Sequence, residues 1–289
     1  MVVGIILALL AAVFWGSINV PILKVKESSI IITTFSTTIS FLLSLVVYLL
    51  TLPIITLQTV YLGIISGIFW SLGAISLITG MKKIGMGKVV AIQASIQIIL
   101  ASIAGMIFFN EILGKGINNF FVAFLGIIFI ILGIYTTSSI IEKKNDKSNK
   151  MGLLFALISG IMFTISILPI RIAESNPLAI IFPMTFGMCL TSWLFVIKVE
   201  KRIKTSLLTI KKSMLSGVIW LIGNYLDFFA IGMIGLAKGY SLGQLCVLIA
   251  SLWSIFYFRE FMKKKNIISL IISAVVIILG AALLAFAKT

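Results

Sequence analysis

Ten apolar stretches, separated by short polar or charged connections, occupy nearly all of the chain. Each is close to the roughly 20 residues that a helix needs to cross a hydrocarbon core of about 30 Å. The pattern predicts spans at 3–22, 29–50, 58–80, 88–109, 117–139, 151–170, 178–197, 213–233, 238–258 and 267–287. These runs are too continuous for the alternation of a transmembrane β-strand, and a segment in lipid must satisfy its own backbone. The expected fold is therefore an all-α membrane protein of ten transmembrane helices. Gly4 to Asn19 lacks a basic leading segment and runs into Pro21 and Lys24, so it reads as the first transmembrane helix and not as a cleavable signal.

The polar punctuation repeats along the chain. At a shift of 148, Gly4-Ile-Ile-Leu-Ala-Leu9 meets Gly152-Leu-Leu-Phe-Ala-Leu157, and Pro21-Ile22 meets Pro169-Ile170. At a shift of 150, Ser66-Gly67-x-x-Trp70-x-x-Gly73 meets Ser216-Gly217-x-x-Trp220-x-x-Gly223, and Ile84-Gly85-x-x-Lys88 meets Ile234-Gly235-x-x-Lys238. A one-residue slip then aligns Phe109-x-Glu111 with Phe258-x-Glu260. Leu and Ile coincide readily among apolar helices; Trp, Gly, Lys and Glu in the same order do not. Five helices per copy is an odd number, so the second copy enters the membrane from the opposite face. The expected arrangement is two inverted five-helix repeats, related by a pseudo-two-fold axis in the membrane plane. They cover residues 1–141 and 151–289, joined by a charged linker at 142–150.

Composition agrees with the pattern. The chain is 61% hydrophobic and 11% charged, against about 45–50% apolar and 25% charged in a soluble domain. A net charge of +15 invites a nucleic-acid reading, but its placement points elsewhere. Of the 23 basic residues, 19 fall in alternate loops, around Lys24, Lys82, Lys143, Lys198 and Arg259, and the other side holds Lys115, Arg171, Lys238 and Lys288. This is the positive-inside asymmetry, which places the basic loops in the cytoplasm and both termini outside. The charge thus reports topology and not a nucleic-acid partner. Histidine is absent, which excludes His-based triads, His metal sites and His proton relays. Cys189 and Cys246 lie inside predicted spans with no paired spacing and read as small core residues. No phosphate-binding Gly-x-x-x-x-Gly-Lys-Ser/Thr segment occurs and no cofactor is expected, so gradients are left as the driving force.

Two five-helix halves with Phe-x-Glu closing the fourth and ninth helices resemble the drug/metabolite transporter superfamily. Within it the chain is similar to the glucose/ribose uptake branch. Ala12-Val-Phe-Trp-Gly-Ser17 matches that branch's first helix, Ser66 to Gly73 its third, and Gly217 to Asn224 its eighth. The likeness runs the whole length, and it implies uptake of a small sugar, glucose- or ribose-like, coupled to protons. Elsewhere in the superfamily the termini are often described as cytoplasmic; the charge count here places them outside.

Polar groups within spans single out the candidate site. Trp220, Asn224 and Asp227 fall at i, i+4 and i+7 on one face of the eighth helix. Asp227 is the one acidic residue well inside a predicted span. A charged Asp at the helix centre costs about 2.5–3.5 kcal/mol on insertion scales, so a carboxyl that is neutral when occluded and charged when wet suits proton coupling. Gln93 and Gln97 lie one turn apart on the fourth helix, and Tyr240, Gln244 and Ser251 share a face of the ninth. Their amides donate and accept, as sugar hydroxyls require; buried Gln pairs also hold helices together, at about 0.6 kcal/mol per contact. Trp15, Trp70 and Trp220 offer rings for the apolar face of a sugar, with Asn19 one turn beyond Trp15. Thr33, Thr37, Ser40 and Ser44 read as a packing ridge on helix two. Glu111 and Glu260, at matched helix ends, are expected to fix loops by pairing with basic residues.

Together these features predict a multi-pass cell-membrane carrier and not an enzyme. Its cavity is expected among helices 1, 3, 4, 8 and 9, with sugar and protons as partners, the bilayer as surroundings and room for a homodimer. Trp15, Asn19, Trp70, Gln93, Gln97, Trp220, Asn224, Tyr240 and Gln244 would bind substrate, and Asp227 would couple protons. The alternative is an exporter of amphiphilic metabolites or drugs on the same scaffold.

Overall fold

The computed structural model describes residues 2–108, 117–139, 146–173, 177–203, 205–234, 242–243, 245–260 and 264–287. These are helical apart from short connections, with no strand among the described residues. The helices are α1 (Val2–Ser17), α2 (Ser29–Thr51), α3 (Leu57–Ile84), α4 (Met86–Phe108), α5 (Ile117–Ser139), α6 (Asp146–Ala173), α7 (Pro177–Phe195), α8 (Leu207–Ile234), α9 (Cys246–Leu252) and α10 (Lys264–Ala287). Single π-helical turns continue α7 over Val196–Glu200 and α9 over Trp253–Tyr257. Among the described residues, five helical segments are long and apolar enough to cross a membrane: Ser29–Thr51, Leu57–Ile84, Ser148–Ile170, Leu178–Glu200 and Leu207–Ile234; shorter apolar helices accompany them.

Several boundaries differ from the sequence expectation, α3 running on to Ile84 past residue 80 and α8 starting at Leu207 ahead of residue 213. The first helix stops at Ser17 and not at residue 22. Pro21 has no N–H to donate and disfavours a helical residue before it, so residues 18–24 form tight turns instead, with Val20 N–H donating to Ser17 O at 3.0 Å and Leu23 N–H to Asn19 O at 3.0 Å. The matched Pro169 lies within α6. The charged linker expected at 142–150 is helical from Asp146 onward, as the start of α6. An acidic residue at a helix N-terminus complements the helix dipole. Elsewhere caps set the starts: Ser28, Thr56 and Ser206 hydroxyls accept from the N–H of Ile31, Thr59 and Thr209 at 3.2, 3.1 and 3.1 Å.

Helices pack across the chain's midpoint as well as within each half. α3 packs on α6 and α7, while α8 packs on α1 and α2; α4 lies against α6, α9 against α1, α5 against α10, and α2 against α7. Missing Cβ atoms make two of these seams close. A Cβ on Gly67 of α3 would collide with the Met184 carbonyl of α7, and one on Gly217 of α8 with the Ser36 carbonyl of α2. A Cβ on Gly73 would fall 2.8 Å from the Phe163 ring, and one on Gly223 would fall 2.6 Å from the Trp15 ring.

The hydroxyl ridge of α2 fastens it on both sides. Ser36 Oγ donates to Ser213 O at 2.7 Å and Ser40 Oγ to Gly217 O at 3.0 Å on α8. Toward α7, Thr37 and Ser192 hydroxyls pair at 2.7 Å, and Ser44 and Thr185 at 2.6 Å. With no water at this depth, such partners are what makes six of the seven buried hydroxyl residues on this helix tolerable. At the end of the molecule carrying the basic loops, Ile22, Val25, Ile32, Leu77, Ile78, Met81, Ile84, Met86, Val89 and Val90 belong to one buried apolar cluster.

Candidate functional site: a central cavity between the helices

A cavity of about 540 Å³ runs between the helices, within the range of about 300–1,000 Å³ usual for small-molecule sites. Its wall includes Trp15, Asn19, Trp70, Gln93, Gln97, Trp220, Asn224 and Asp227. Every predicted site residue that the structure describes therefore meets in one space. Tyr240 and Gln244 lie outside the described residues.

The tryptophans are placed by the glycine motifs. Trp220 is almost wholly buried and meets Trp70 with ring centroids 4.8 Å apart at 58°, so α3 and α8 touch through the Trp that each motif carries. Trp70 also meets Phe163 of α6 at 5.7 Å, in the room left by Gly73. Trp15 of α1 occupies the equivalent room beside Gly223.

The polar groups sit on this aromatic frame. Gln93 Nε2 donates to Gln97 Oε1 at 2.7 Å along one face of α4. That bond uses one of the two donors on the Gln93 amide and one lone pair on the Gln97 carbonyl, so both amides keep capacity for a ligand. Asn224 Nδ2 donates to Trp220 O at 2.9 Å within α8. Asp227 is 2% exposed, and its Oδ1 has no hydrogen-bond partner among the described residues. The start of the ninth span lies against it: a Cβ on Gly243 would stand 3.3 Å from that oxygen and 3.1 Å from the Trp15 ring. An acceptor left unmatched in a cavity wall is a group waiting for a donor, whether a proton or a hydroxyl.

The wall is wider than expected. Besides helices 1, 3, 4, 8 and 9, it takes Thr33, Ser36 and Ser40 from α2, Phe163 and Ser166 from α6, and Ile180 and Met184 from α7. The shift of 148 pairs Trp15 with Phe163 and Ser36 with Met184, so the repeat register held the signal for both. Three of the four hydroxyl residues read as a packing ridge bear out that reading, since Thr37, Ser40 and Ser44 are hydrogen-bonded across helix contacts. Thr33 lines the cavity, and its hydroxyl has no partner among the described residues. Cys246 also lines the cavity, and Cys189 pairs with Thr38 Oγ1 at 3.7 Å.

Two carboxylates organise the basic-loop end. Glu260 fixes the basic-loop end through main-chain groups: its Oε1 accepts Met86 N–H at 2.7 Å, its Oε2 accepts Gly87 N–H at 3.1 Å, and the Ser254 hydroxyl donates to it as well. It thus caps the first turn of α4, the helix carrying Gln93 and Gln97. Gly85, at φ +90 between α3 and α4, makes room for this carboxylate, which a Cβ would meet at 2.8 Å. Glu27, between α1 and α2, accepts the Thr209 hydroxyl of α8 at 2.6 Å, while its carbonyl accepts Lys82 Nζ of α3. The Thr209 hydroxyl, with help from backbone N–H groups and the Lys82 charge, holds the Glu27 carboxyl below its ordinary range against a smaller opposing effect of burial. Glu111 lies outside the described residues.

Fold and site together define a multi-pass helical membrane protein with a polar, aromatic-walled cavity at its centre. The family model described as sugar transport protein matches residues 6–287, and the chain belongs to that family of membrane transport proteins. It is 30% identical to the glucose uptake protein GlcU of Bacillus subtilis, over 99% of both chains. It is 28% identical to a putative sugar uptake protein of Listeria monocytogenes over 99% of this chain and 100% of that one. A putative sugar uptake protein of Enterococcus faecalis is 29% identical over 99% of each. One solved crystal structure superposes with a TM-score of 0.64 over 98% of both chains at 12% identity, a likeness of fold. The protein is accordingly an integral protein of the cell membrane.

Proposed function

We propose that this protein is a secondary carrier that takes up a small sugar, glucose- or ribose-like, together with a proton, through alternating access of two inverted five-helix halves. The observation that carries the reading is the meeting of the eight described site residues around one cavity, with an Asp227 oxygen that has no partner among the described residues. Helix packing supports the repeat: the main contacts between halves fall in matched pairs under exchange of the two copies, α3–α6 with α8–α1, α3–α7 with α8–α2, and α4–α6 with α9–α1. The glycine seams follow the same exchange, Gly67–Met184 with Gly217–Ser36 and Gly73–Phe163 with Gly223–Trp15. Residues 1–141 and 151–289 are then the two halves, and rocking one against the other exposes the cavity to each face in turn.

Chemically, the ring of a sugar lies on the Trp faces while Gln93, Gln97, Asn19 and Asn224 exchange hydrogen bonds with its hydroxyls; Tyr240 and Gln244 complete the set from the ninth span. Asp227 takes the coupling proton. A charge at this depth costs about 2.5–3.5 kcal/mol, so the carboxyl crosses occluded as the acid and releases its proton when the cavity is wet. Uptake follows if sugar and proton each bind better in the presence of the other.

Uptake of labelled glucose and ribose into proteoliposomes, with and without an inward proton gradient, tests this for the wild type and Asp227→Asn. The expected result is gradient-stimulated uptake that the variant loses while keeping sugar exchange. Stimulation that survives in Asp227→Asn removes that residue from coupling. If folded wild-type protein moves neither sugar, the reading fails and export of amphiphilic compounds takes its place.

A further inference from the structure

We infer that Ser216 and Ser66 form a paired hydrogen-bond switch between the two access states. Each fastens the proline-broken end of the helix it faces in one state and releases it in the other. The inference rests on the alternating-access reading and deepens it to particular atoms.

The two halves match in sequence but differ in local shape at their prolines. In the first half α1 ends at Ser17, and residues 18–24 turn tightly around Pro21. The turns carry Ile22 and Val25 into the buried apolar cluster at the basic-loop end. That end is also bridged between halves, by Trp253 Nε1 donating to Ser17 Oγ at 2.9 Å and Thr209 Oγ1 to Glu27 Oε1 at 2.6 Å. In the second half the matched Pro169 lies inside α6, which runs on helically to Ala173. Proline permits either shape: it takes one N–H out of the ladder, here the one that would serve the Ile165 carbonyl, and leaves the helix easy to break.

The hydroxyls carry the same difference. Ser216 of α8 donates to the carbonyl of Ile18, the first residue beyond α1, at 2.7 Å. The repeat pairs Ser216 with Ser66 on α3, and Ile18 with Ser166 on α6. Packing puts those counterparts at one level. Gly223 lies against Trp15 as Gly73 lies against Phe163, and Gly4 against Ile234 as Gly152 against Ile84, so both helix pairs run antiparallel in the same register. Yet Ser66 Oγ, in a residue 0% exposed, has no partner among the described residues. In an unbroken helix a carbonyl points along the axis to the N–H four residues on, which keeps the Ser166 carbonyl from α3.

Exchanging the two shapes between the halves supplies the missing bond. With α6 broken before Pro169, the Ser166 carbonyl turns out to Ser66. With α1 helical through Pro21, the Ile18 carbonyl is taken up inside the helix and Ser216 lets go. One hydrogen bond replaces another, and the tight turn that closes the basic-loop end passes to the opposite end.

Ile22 and Ile170, matched by the repeat and both in the cavity wall, report the two states. Each is replaced in turn, as Ile22→Cys or Ile170→Cys, in a background carrying Cys189→Ala and Cys246→Ala. The reconstituted protein is reacted with a membrane-impermeant maleimide, from the basic-loop face for Ile22→Cys and from the opposite face for Ile170→Cys. The ratio of the first rate to the second follows the equilibrium between the states. One hydrogen bond is worth about two- to tenfold in such an equilibrium. Ser216→Ala is expected to raise the ratio by that factor, and Ser66→Ala to lower it by a similar one. A change in the same direction in both variants, or an unchanged ratio in either, overturns the switch. If one cysteine in otherwise wild-type protein stays unreactive from its own face, with and without glucose, alternating access itself fails and the switch falls with it.

Discussion

Removing the Glu260 carboxylate tests how a connection on one helix pair holds the site on another. The first N–H groups of a helix have no partner inside it, and here two of them, on Met86 and Gly87, donate to Glu260 at 2.7 and 3.1 Å. Bonds to a charged acceptor are worth about 1.5–3 kcal/mol when buried. Glu260 is only partly buried, so water replaces much of what Glu260→Ala removes, and the helix-dipole contribution of about 0.3–1 kcal/mol is lost besides. A net loss of about 2 kcal/mol is expected, or a Tm lower by about 4 °C for a chain of this size. Glu260→Gln keeps one acceptor but turns an amide N–H₂ toward the second N–H, so it loses at least half as much. Gln93 lies two turns along the same helix, so KM for sugar should rise in both variants. The assay is fluorescence-detected unfolding in detergent beside uptake in vesicles. A Tm for Glu260→Ala within about 1 °C of wild type would refute the cap as a stabilising contact.

Two further outcomes follow from contacts at the helix ends and seams. Because Glu27 titrates below its ordinary value of 4.5 in the fold, its stabilisation is complete above that value and disappears as pH falls through the lower folded value. Tm curves of wild type and Glu27→Gln should lie apart at neutral pH and converge in acid; a constant gap across the range would remove the Thr209 bond as the cause. Gly67→Ala drives a Cβ into the Met184 carbonyl and should destabilise by about 1–3 kcal/mol. Gly232→Ala meets nothing within 4 Å and should be neutral or stabilising by up to about 1 kcal/mol. Equal Tm values for the two Gly→Ala variants would show that the α3–α7 seam is looser than described.

Helix number, spans and the polar cavity residues were legible because lipid leaves few alternatives: apolar length marks a span, and a polar group inside one marks a cavity or a partner. Asp227 and the Gln93–Gln97 pair stood out for that reason. What stayed hidden depends on which way a small side chain turns. Thr33 and Thr37 are the same residue type one turn apart on α2, yet Thr37 bonds to Ser192 while Thr33 lines the cavity. The role of Glu260 was hidden for a related reason: its partners are main-chain N–H groups of a helix more than 170 residues away in sequence, and no side chain announces them. Ser17 as the end of α1 was obscured because apolar residues continue to Leu23 after Pro21 has broken the helical ladder.

The seam between α2 and α8 has a consequence for how such a protein can change over generations. Ser36 and Ser40 reach main-chain carbonyls, at Ser213 and Gly217, and every residue type supplies a carbonyl. The recognition is therefore written on one helix only. Provided the facing positions stay small, mutations on α8 leave the hydrogen bonds intact, whereas loss of a hydroxyl from α2 strands a helix contact in lipid. Drift should accordingly be lopsided along this seam, with the hydroxyl-bearing helix holding its identity while its neighbour varies in everything but size.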